Sequence, residues 1–432
     1  MSPTCRVDSV ILTVDAGQQT TSKRGWHPLN HLEHLLGWED ARRLIHGMKV
    51  GISIVLVSLL YILDALHDRL GDNSMWAIVT VVVMFRFTSG ATIQKGLNRC
   101  VGTICGGGMG IMLVLWPHRF NIGEQGRLTI TASGLFIICT AASYFRMIPC
   151  VKKKYDHGVM FFIMIFSLVS VFGVRNDDIV KQANDLLASI FIGITISIIV
   201  NVLVFPVWAA DQLHASLDSN LNCLASSIEE NVKEYFRPIA DKLEGRRSQD
   251  NFKGCKSVIY SKATDESMIK FAKWECRIGR FGLKHCWDDY LVIGNLISDL
   301  AIFVLSLRSC RKSKYPAHSV SLVEEIKTQC EAIGNSVGSI MRKLGDHLIK
   351  RTRCDASDHI GSLEYHSHEL TKLICHLDIK LSAIQANNSQ TLGFAQTTQF
   401  MLILGNIIDR LEELLIKVEK LEISSASRKT FL

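Results

Sequence analysis

The run of 23 uncharged residues at positions 186–208 most constrains what this chain can fold into. A helix of about 20 apolar residues crosses a bilayer, and a slightly longer one spans it with some tilt. Five further apolar segments precede this run, and the full set is 50–63, 75–93, 100–116, 128–145, 158–174 and 186–208. So many apolar residues are hard to bury in a soluble core, and the sequence therefore predicts a membrane domain with six spans.

The second segment carries a charge within its apolar run. Arg86 interrupts an uncharged, β-branched stretch, and Lys95 and Arg99 follow four residues apart, on one face of any helix that continues. One interpretation runs the helix through Arg86 to Ile93 and places a guanidinium at membrane depth, where charges are rare and face a bundle interior or a watery cavity. The other ends the helix at Phe85 and lets Arg86 reach the headgroups.

Glycines mark the third segment. Gly102, Gly106 and Gly110 form two successive small-xxx-small steps, which let helix backbones approach closely in lipid. A phosphate-binding loop needs a preceding strand and a following Lys-Ser or Lys-Thr, and neither is present. The spacing therefore predicts close packing of this helix against a neighbour.

Lysine and arginine gather on one side of the predicted spans, where they indicate the cytosol. The basic side holds Arg42, Arg43, Lys49, Lys95, Arg99, Arg146 and Lys152 to Lys154. The opposite side has single bases among several acids. Both termini are therefore predicted to be cytosolic, which agrees with an even number of spans.

After Pro206 the pattern changes to amphipathic helices of a soluble type. The predicted fold class is an all-α membrane protein in which six transmembrane helices precede a cytosolic helical bundle. Residues 1–49 form an N-terminal cytosolic segment with an interfacial helix, residues 50–209 the membrane domain, and residues 210–432 the cytosolic helical domain. Residues 290–307 are apolar enough for a seventh span, but their polar interruptions favour a buried helix of the bundle.

Neither an enzyme nor a nucleic-acid binder is indicated. The chain has no GxSxG, HExxH or Walker motif and no intramembrane carboxylate pair, and its 13 cysteines form no CxxC pair. A net charge of +7 without a basic soluble face does not favour nucleic acid. We therefore expect no metal and no cofactor.

The charges at membrane depth are basic. Arg86 interrupts a span, and Lys95, Arg99 and Arg146 lie near span boundaries. Basic side chains along a pathway replace part of an anion's hydration, so this pattern favours an anion-conducting protein. The alternative is that these bases only follow the positive-inside rule.

Four motifs of the first half, in order, are MWAIVTVVVMF, SGATIQKGLNR, RMIPCVKKKYDHG and FPVWAADQLH, and the second half adds FAKWECRIGRFGLKHCWDDYLVIG. Together they resemble the plant aluminium-activated malate transporter family. The resemblance implies a homodimer in the lipid bilayer that acts as a passive channel for malate and other small anions. The resemblance implies the plasma membrane or the vacuolar membrane, and we predict the plasma membrane.

The resemblance also implies roles for particular residues. Arg99 and Lys95 match a pore motif of the family, and Arg146 precedes a matching Ile-Pro. Arg86 departs from the family, and its basic charge within the apolar run predicts that it shapes conductance. Residues with a possible regulatory role are Trp274, Glu275, Asp68, Asp177 and Asp178. Two departures, Arg86 in place of the family's glutamate and Cys276 in place of its proline, keep open a second hypothesis: a non-conducting scaffold whose helical domain binds partners.

Overall fold

The computed structural model describes residues 38–62, 75–119, 123–174, 179–236, 245–275, 287–310, 320–350, 356–383 and 388–429. The regular structure in these ranges is helical throughout, which confirms the predicted all-α fold. The helices are α1 Trp38–Ile62, α2 Met75–Met84, α3 Ser89–Arg119, α4 Glu124–Met147, α5 Pro149–Lys154, α6 Asp156–Gly173, α7 Ile179–Leu203, α8 Ala209–Phe236, α9 Gly245–Glu275, α10 Trp287–Ser309, α11 Val320–Lys350, α12 Ala356–Ala383 and α13 Asn388–Lys429.

Apolar helices account for every segment predicted to span the membrane. Within the described ranges, α1, α3, α4, α6 and α7 are long and apolar enough to cross a bilayer, and α2 is apolar but has only ten residues. The sixth helix that meets the same length and composition is α10, in the C-terminal half. The chain is therefore a multi-span helical membrane protein.

The second predicted segment is not one helix. Helix α2 ends at Met84, residues 85–88 are not helical, and α3 begins at Ser89 and continues through the third predicted segment. Two polar residues stabilise the break: Ser89 donates to the carbonyl oxygen of Asn201, and the Thr92 hydroxyl accepts from the backbone N–H of Arg86 and from Nδ2 of Asn201. A short helix and a long one thus replace two predicted spans of similar length.

The glycines of α3 allow the close packing predicted for them. A Cβ at Gly102 would meet the carbonyl oxygen of Gly158, and one at Gly106 would lie 2.7 Å from the carbonyl oxygen of Phe162. Both carbonyl oxygens belong to α6, so the backbones of α3 and α6 are in near contact. This packing fixes the face of α3 that carries Arg99 against α6.

Helix α10 lies in the core of the C-terminal half. Its residues Tyr290, Ile293, Leu300 and Val304 are buried in one apolar cluster with residues of α8, α9, α11, α12 and α13. This burial favours the bundle helix over the seventh span, although α10 is long enough for either. The bundle surrounds it with amphipathic helices, as the sequence pattern predicts.

The chain divides into two compact units, Met1–Met48 and Lys49–Leu432. The described part of the first unit is the beginning of α1. The remainder of α1 and helices α2 to α13 belong to the second unit. The division into a membrane domain ending at 209 and a cytosolic domain stays a prediction.

Candidate anion-binding site

The break between α2 and α3 is held by hydrogen bonds to α7. The hydroxyl oxygen of Thr92 accepts a bond from the backbone N–H of Arg86 at 3.1 Å and one from Nδ2 of Asn201 at 2.6 Å. The hydroxyl of Ser89 donates to the carbonyl oxygen of Asn201 at 3.2 Å. Breaks of this kind place unwound backbone and a helix N-terminus inside a membrane protein, where they are tolerated when buried in protein or lining a cavity.

Arg99 is fully buried and has no carboxylate partner among the described residues. Its Nη2 donates to the hydroxyl oxygen of Thr80 at 2.8 Å, and its Cζ lies 3.7 Å from the ring centroid of Phe161. The Nε and Nη1 atoms are buried without a hydrogen-bond partner in the described part of the protein, as is the hydroxyl of Thr103 one turn further along α3. Buried donors without acceptors cost free energy, so this position favours an incoming acceptor such as an anion.

Two of the other predicted bases lie near Arg99. Lys95 is half-buried on the preceding turn of α3, and the side chain of Arg86 is exposed at the break. Arg86, Lys95 and Arg99 are all close enough to His157, at the start of α6, to interact with it electrostatically. The imidazole Nε2 of His157 is itself buried without a hydrogen-bond partner among the described residues. Three of the four predicted bases thus lie within electrostatic range of one histidine.

Arg146 differs from these three because an acid balances its charge. Its Nε donates to Oδ1 of Asp156 at 2.7 Å, and its Nη2 donates to Oδ2 of the same carboxylate at 3.4 Å. Both side chains are about two-fifths exposed, at 42% and 40%. The pair links the end of α4 to the start of α6, and a role of Arg146 in a pore stays a prediction.

Sequence reasoning missed Lys49 as a member of the site. It counted Lys49 among the bases that set orientation, yet the side chain is only 1% exposed and lies inside the apolar part of α1. Its Nζ donates to Oδ1 of Asn201 at 3.1 Å. The position of Lys49 next to the first apolar segment was the available signal, but its neighbour Asn201 is 152 residues away in sequence.

Glu275 ties the C-terminal half to this region. It is fully buried, and its carboxylate accepts bonds from the backbone N–H groups of Gly90 at 2.9 Å, Ala209 at 2.8 Å and Ala210 at 3.2 Å. These N–H groups lie in the first turns of α3 and α8, where a negative charge complements unpaired donors and the helix dipole. Burial raises the pKa of the Glu275 carboxyl above its usual range, and the three N–H groups oppose this in part.

The chain between α7 and α8 turns sharply to bring these elements together. Phe205 has a φ of 44°, which is uncommon for a residue other than glycine and costs free energy. The turn presents the carbonyl oxygen of Val207 to the backbone N–H of Ser89 at 3.0 Å. It therefore contributes to holding the start of α3 beside the start of α8.

Of the residues with a predicted regulatory role, Trp274 is half-buried beside Glu275 at the end of α9. Asp68, Asp177 and Asp178 lie outside the described residues. Within the described ranges, no group of three or more His, Cys, Asp or Glu side chains is placed to hold a metal ion.

The fold and the site together define a multi-span helical membrane protein with two buried basic side chains, Lys49 and Arg99, that lack a carboxylate partner in the described part of the chain. The family model "Aluminium activated malate transporter" matches residues 35–401, so the chain belongs to the aluminium-activated malate transporter family. The resemblance seen in the sequence motifs is confirmed.

Several relatives show the same similarity. Aluminum-activated malate transporter 2 of Arabidopsis thaliana is 39% identical over 328 residues, which cover 75% of this chain and 64% of the relative. Aluminum-activated malate transporter 1 of Triticum aestivum is 36% identical over 304 residues, 69% of this chain and 62% of the relative. The matched region thus spans less than two thirds of either relative's length.

Proposed function

We propose that this protein is a passive channel for malate and other small anions, with Arg99 as the main base that draws the anion into the membrane. The observation that supports the proposal is the burial of the Arg99 guanidinium without a carboxylate, with two of its nitrogens lacking a hydrogen-bond partner among the described residues. In a region of low dielectric constant such a charge raises the local concentration of an anion strongly. Lys95 and Arg86, which interact electrostatically with the same histidine as Arg99, add to this attraction.

The experiment is current through the purified protein in planar bilayers with malate as the main anion. Arg99→Gln keeps a polar side chain but removes the charge, and we expect the anion conductance to fall by about tenfold or more. Arg410→Gln is the matched control, because Arg410 is in the C-terminal half and pairs with Glu413 on the surface. Equal conductance in the wild type and in Arg99→Gln would refute the role of Arg99.

The same measurement tests the alternative hypothesis of a non-conducting scaffold. If the well-folded, reconstituted wild-type protein carries no anion current, the channel hypothesis is refuted and the scaffold hypothesis is favoured. Replacing malate by nitrate, chloride or sulfate in the same bilayer gives the order of anion preference.

The proposed assembly is a homodimer, with both termini cytosolic, in the plasma membrane. Family membership supports the dimer. Lys152 and Lys154 are exposed at the end of α5, and by the positive-inside rule they support a cytosolic location for that end of the helices. Mass measurement of the detergent-solubilised protein tests the dimer. Accessibility of tags at the two termini in sealed vesicles tests the orientation, and tags on opposite sides would contradict it.

A further inference from the structure

Asn201 is the residue that connects Lys49 to the helix break. It is fully buried on α7 and uses its whole amide group: Oδ1 accepts from Nζ of Lys49 at 3.1 Å, and Nδ2 donates to Thr92 Oγ1 at 2.6 Å and to the carbonyl oxygen of Arg86 at 3.2 Å. An ammonium can only donate and a carbonyl can only accept, so these partners fix which end of the amide faces which group. Three separate segments of the membrane domain thus meet at one side chain.

The partner that Lys49 has is neutral. Among the described residues, no carboxylate lies within ion-pair distance of its ammonium, which has three N–H donors and makes one hydrogen bond there. A buried charge is normally paired with an opposite charge, since leaving it unpaired is costly. An amide orients Lys49 as an aspartate would, but it leaves the positive charge uncompensated.

Arg99 has the same character. Its hydrogen-bond partner is the hydroxyl of Thr80, and its guanidinium lies over the ring of Phe161, so neither contact cancels its charge. Among the described residues, neutral side chains thus contact the two fully buried bases, Lys49 and Arg99. Arg146, at the edge, is instead paired with an aspartate.

We propose that Asn201 is a positioning residue that holds Lys49 beside the break as a second uncompensated base for the anion. The proposal rests on the proposed anion conduction and adds a further base to it. It also explains why the hydrogen-bond partner of Lys49 is an amide and not an acid. Asn201 acts through Lys49 and through the geometry of residues 85–88, not by meeting the anion itself.

The test is the isosteric variant Asn201→Asp, measured as conductance and as reversal potential in a salt gradient. The new carboxylate would pair with Lys49 and cancel its charge, so we expect the anion conductance to fall by about tenfold and the reversal potential to move toward that of the cation. Asn201→Leu removes the hydrogen bonds but keeps the Lys49 charge, so its reversal potential should move clearly less than that of Asn201→Asp even where its current falls. Asn231→Asp is the control, because Asn231 in the C-terminal half also donates its amide to a carbonyl oxygen, that of Val304.

Lys49→Gln removes the same charge from the other partner and covers the case in which Asn201→Asp does not fold. It should shift the reversal potential in the same direction as Asn201→Asp. A wild-type reversal potential in Lys49→Gln, or in folded Asn201→Asp, overturns the inference, as does an equal shift in Asn201→Leu. If Arg99→Gln loses its current while these variants match the wild type, only this inference fails. If the wild type carries no anion current, the proposed function fails first.

Discussion

At the scale of single residues, the buried bases Arg99 and Lys49 differ from Arg146, at the edge, in the charge of their partners. Arg99 and Lys49 are held by a hydroxyl, an aromatic ring and an amide, whereas Arg146 makes two hydrogen bonds to Asp156. A neutral partner orients a base but leaves its charge uncompensated. A carboxylate both orients the base and compensates its charge. The charge that an anion would meet therefore depends on the partner as much as on the base.

The Arg146–Asp156 pair provides a prediction at this scale. Asp156→Asn, at the start of α6, would leave the charge of Arg146 uncompensated, and we expect the anion conductance at low salt to rise about twofold to threefold. Because the pair is two-fifths exposed, raising the ionic strength should reduce this gain. Bilayer current at two salt concentrations measures it.

Asp288→Asn is the matched control for that change. Asp288 also pairs with a base, Lys273, at 2.7 Å, but in the C-terminal half. The double variant Arg146→Gln/Asp156→Asn should lose the gain. An unchanged conductance in Asp156→Asn would show that Arg146 does not influence the anion pathway.

At the scale of helices, the pairing of α3 with α6 depends on glycines that have no room for a side chain. At Gly106 a Cβ would lie 2.7 Å from the carbonyl oxygen of Phe162 and 3.1 Å from the backbone nitrogen of Phe166. These are backbone atoms, so they cannot move aside as a side chain could. The two helices would have to separate.

Gly106→Ala should therefore destabilise the protein by about 1–3 kcal/mol, the usual cost of overpacking. Gly108→Ala is the control on the same helix, because nothing lies within 4 Å of the Cβ it would add. Thermal unfolding of the two variants in detergent measures the difference. Equal unfolding temperatures for Gly106→Ala, Gly108→Ala and the wild type would contradict close packing of α3 on α6.

Local sequence signals sufficed for the helices and for the glycine steps, but not for the break or for the partners of the bases. The run at 186–208 and the spacing of Gly102 and Gly106 are patterns within one segment, so they can be recognised without the fold. The break between Met84 and Ser89 depends on Asn201 in α7, more than a hundred residues away. Arg86, which interrupts the apolar run, has an exposed side chain, whereas Lys49, which sequence reasoning used only for orientation, is buried.

At the scale of the whole molecule, Glu275 joins the C-terminal half to the helix that carries Arg99. The carboxylate reaches the N–H of Gly90 because this glycine has no side chain, and an added Cβ would meet the carbonyl oxygen of Phe271 and the Cγ of Glu275. The same carboxylate also accepts hydrogen bonds from the first turn of α8, which follows α7. A displacement of α9 would thus be transmitted to the start of α3.

Glu275→Ala should uncouple the two halves. It leaves three buried N–H groups without their acceptor, at about 1–3 kcal/mol for each group that stays unpaired, so we expect a lower unfolding temperature and a loss of most of the anion current. Glu266→Ala, on the same helix, is the control and should behave as the wild type. A Glu275→Ala protein with wild-type stability and current would show that this contact does not couple the halves.

The charge of Glu275 adds a pH dependence with a defined sign. Because burial raises the pKa of this carboxyl, the ionised form is less favourable in the folded state than in the unfolded chain. Its contribution to stability is therefore present below the unfolded pKa, about 4.5, and is lost as pH rises through the higher folded pKa. The neutral variant Glu275→Gln should lack this decrease, and unfolding measured against pH for both proteins checks it. A wild-type curve parallel to that of Glu275→Gln over this range would mean that the three N–H groups fully offset burial at this carboxylate, and a wild-type stability that rises with pH would mean that they outweigh it.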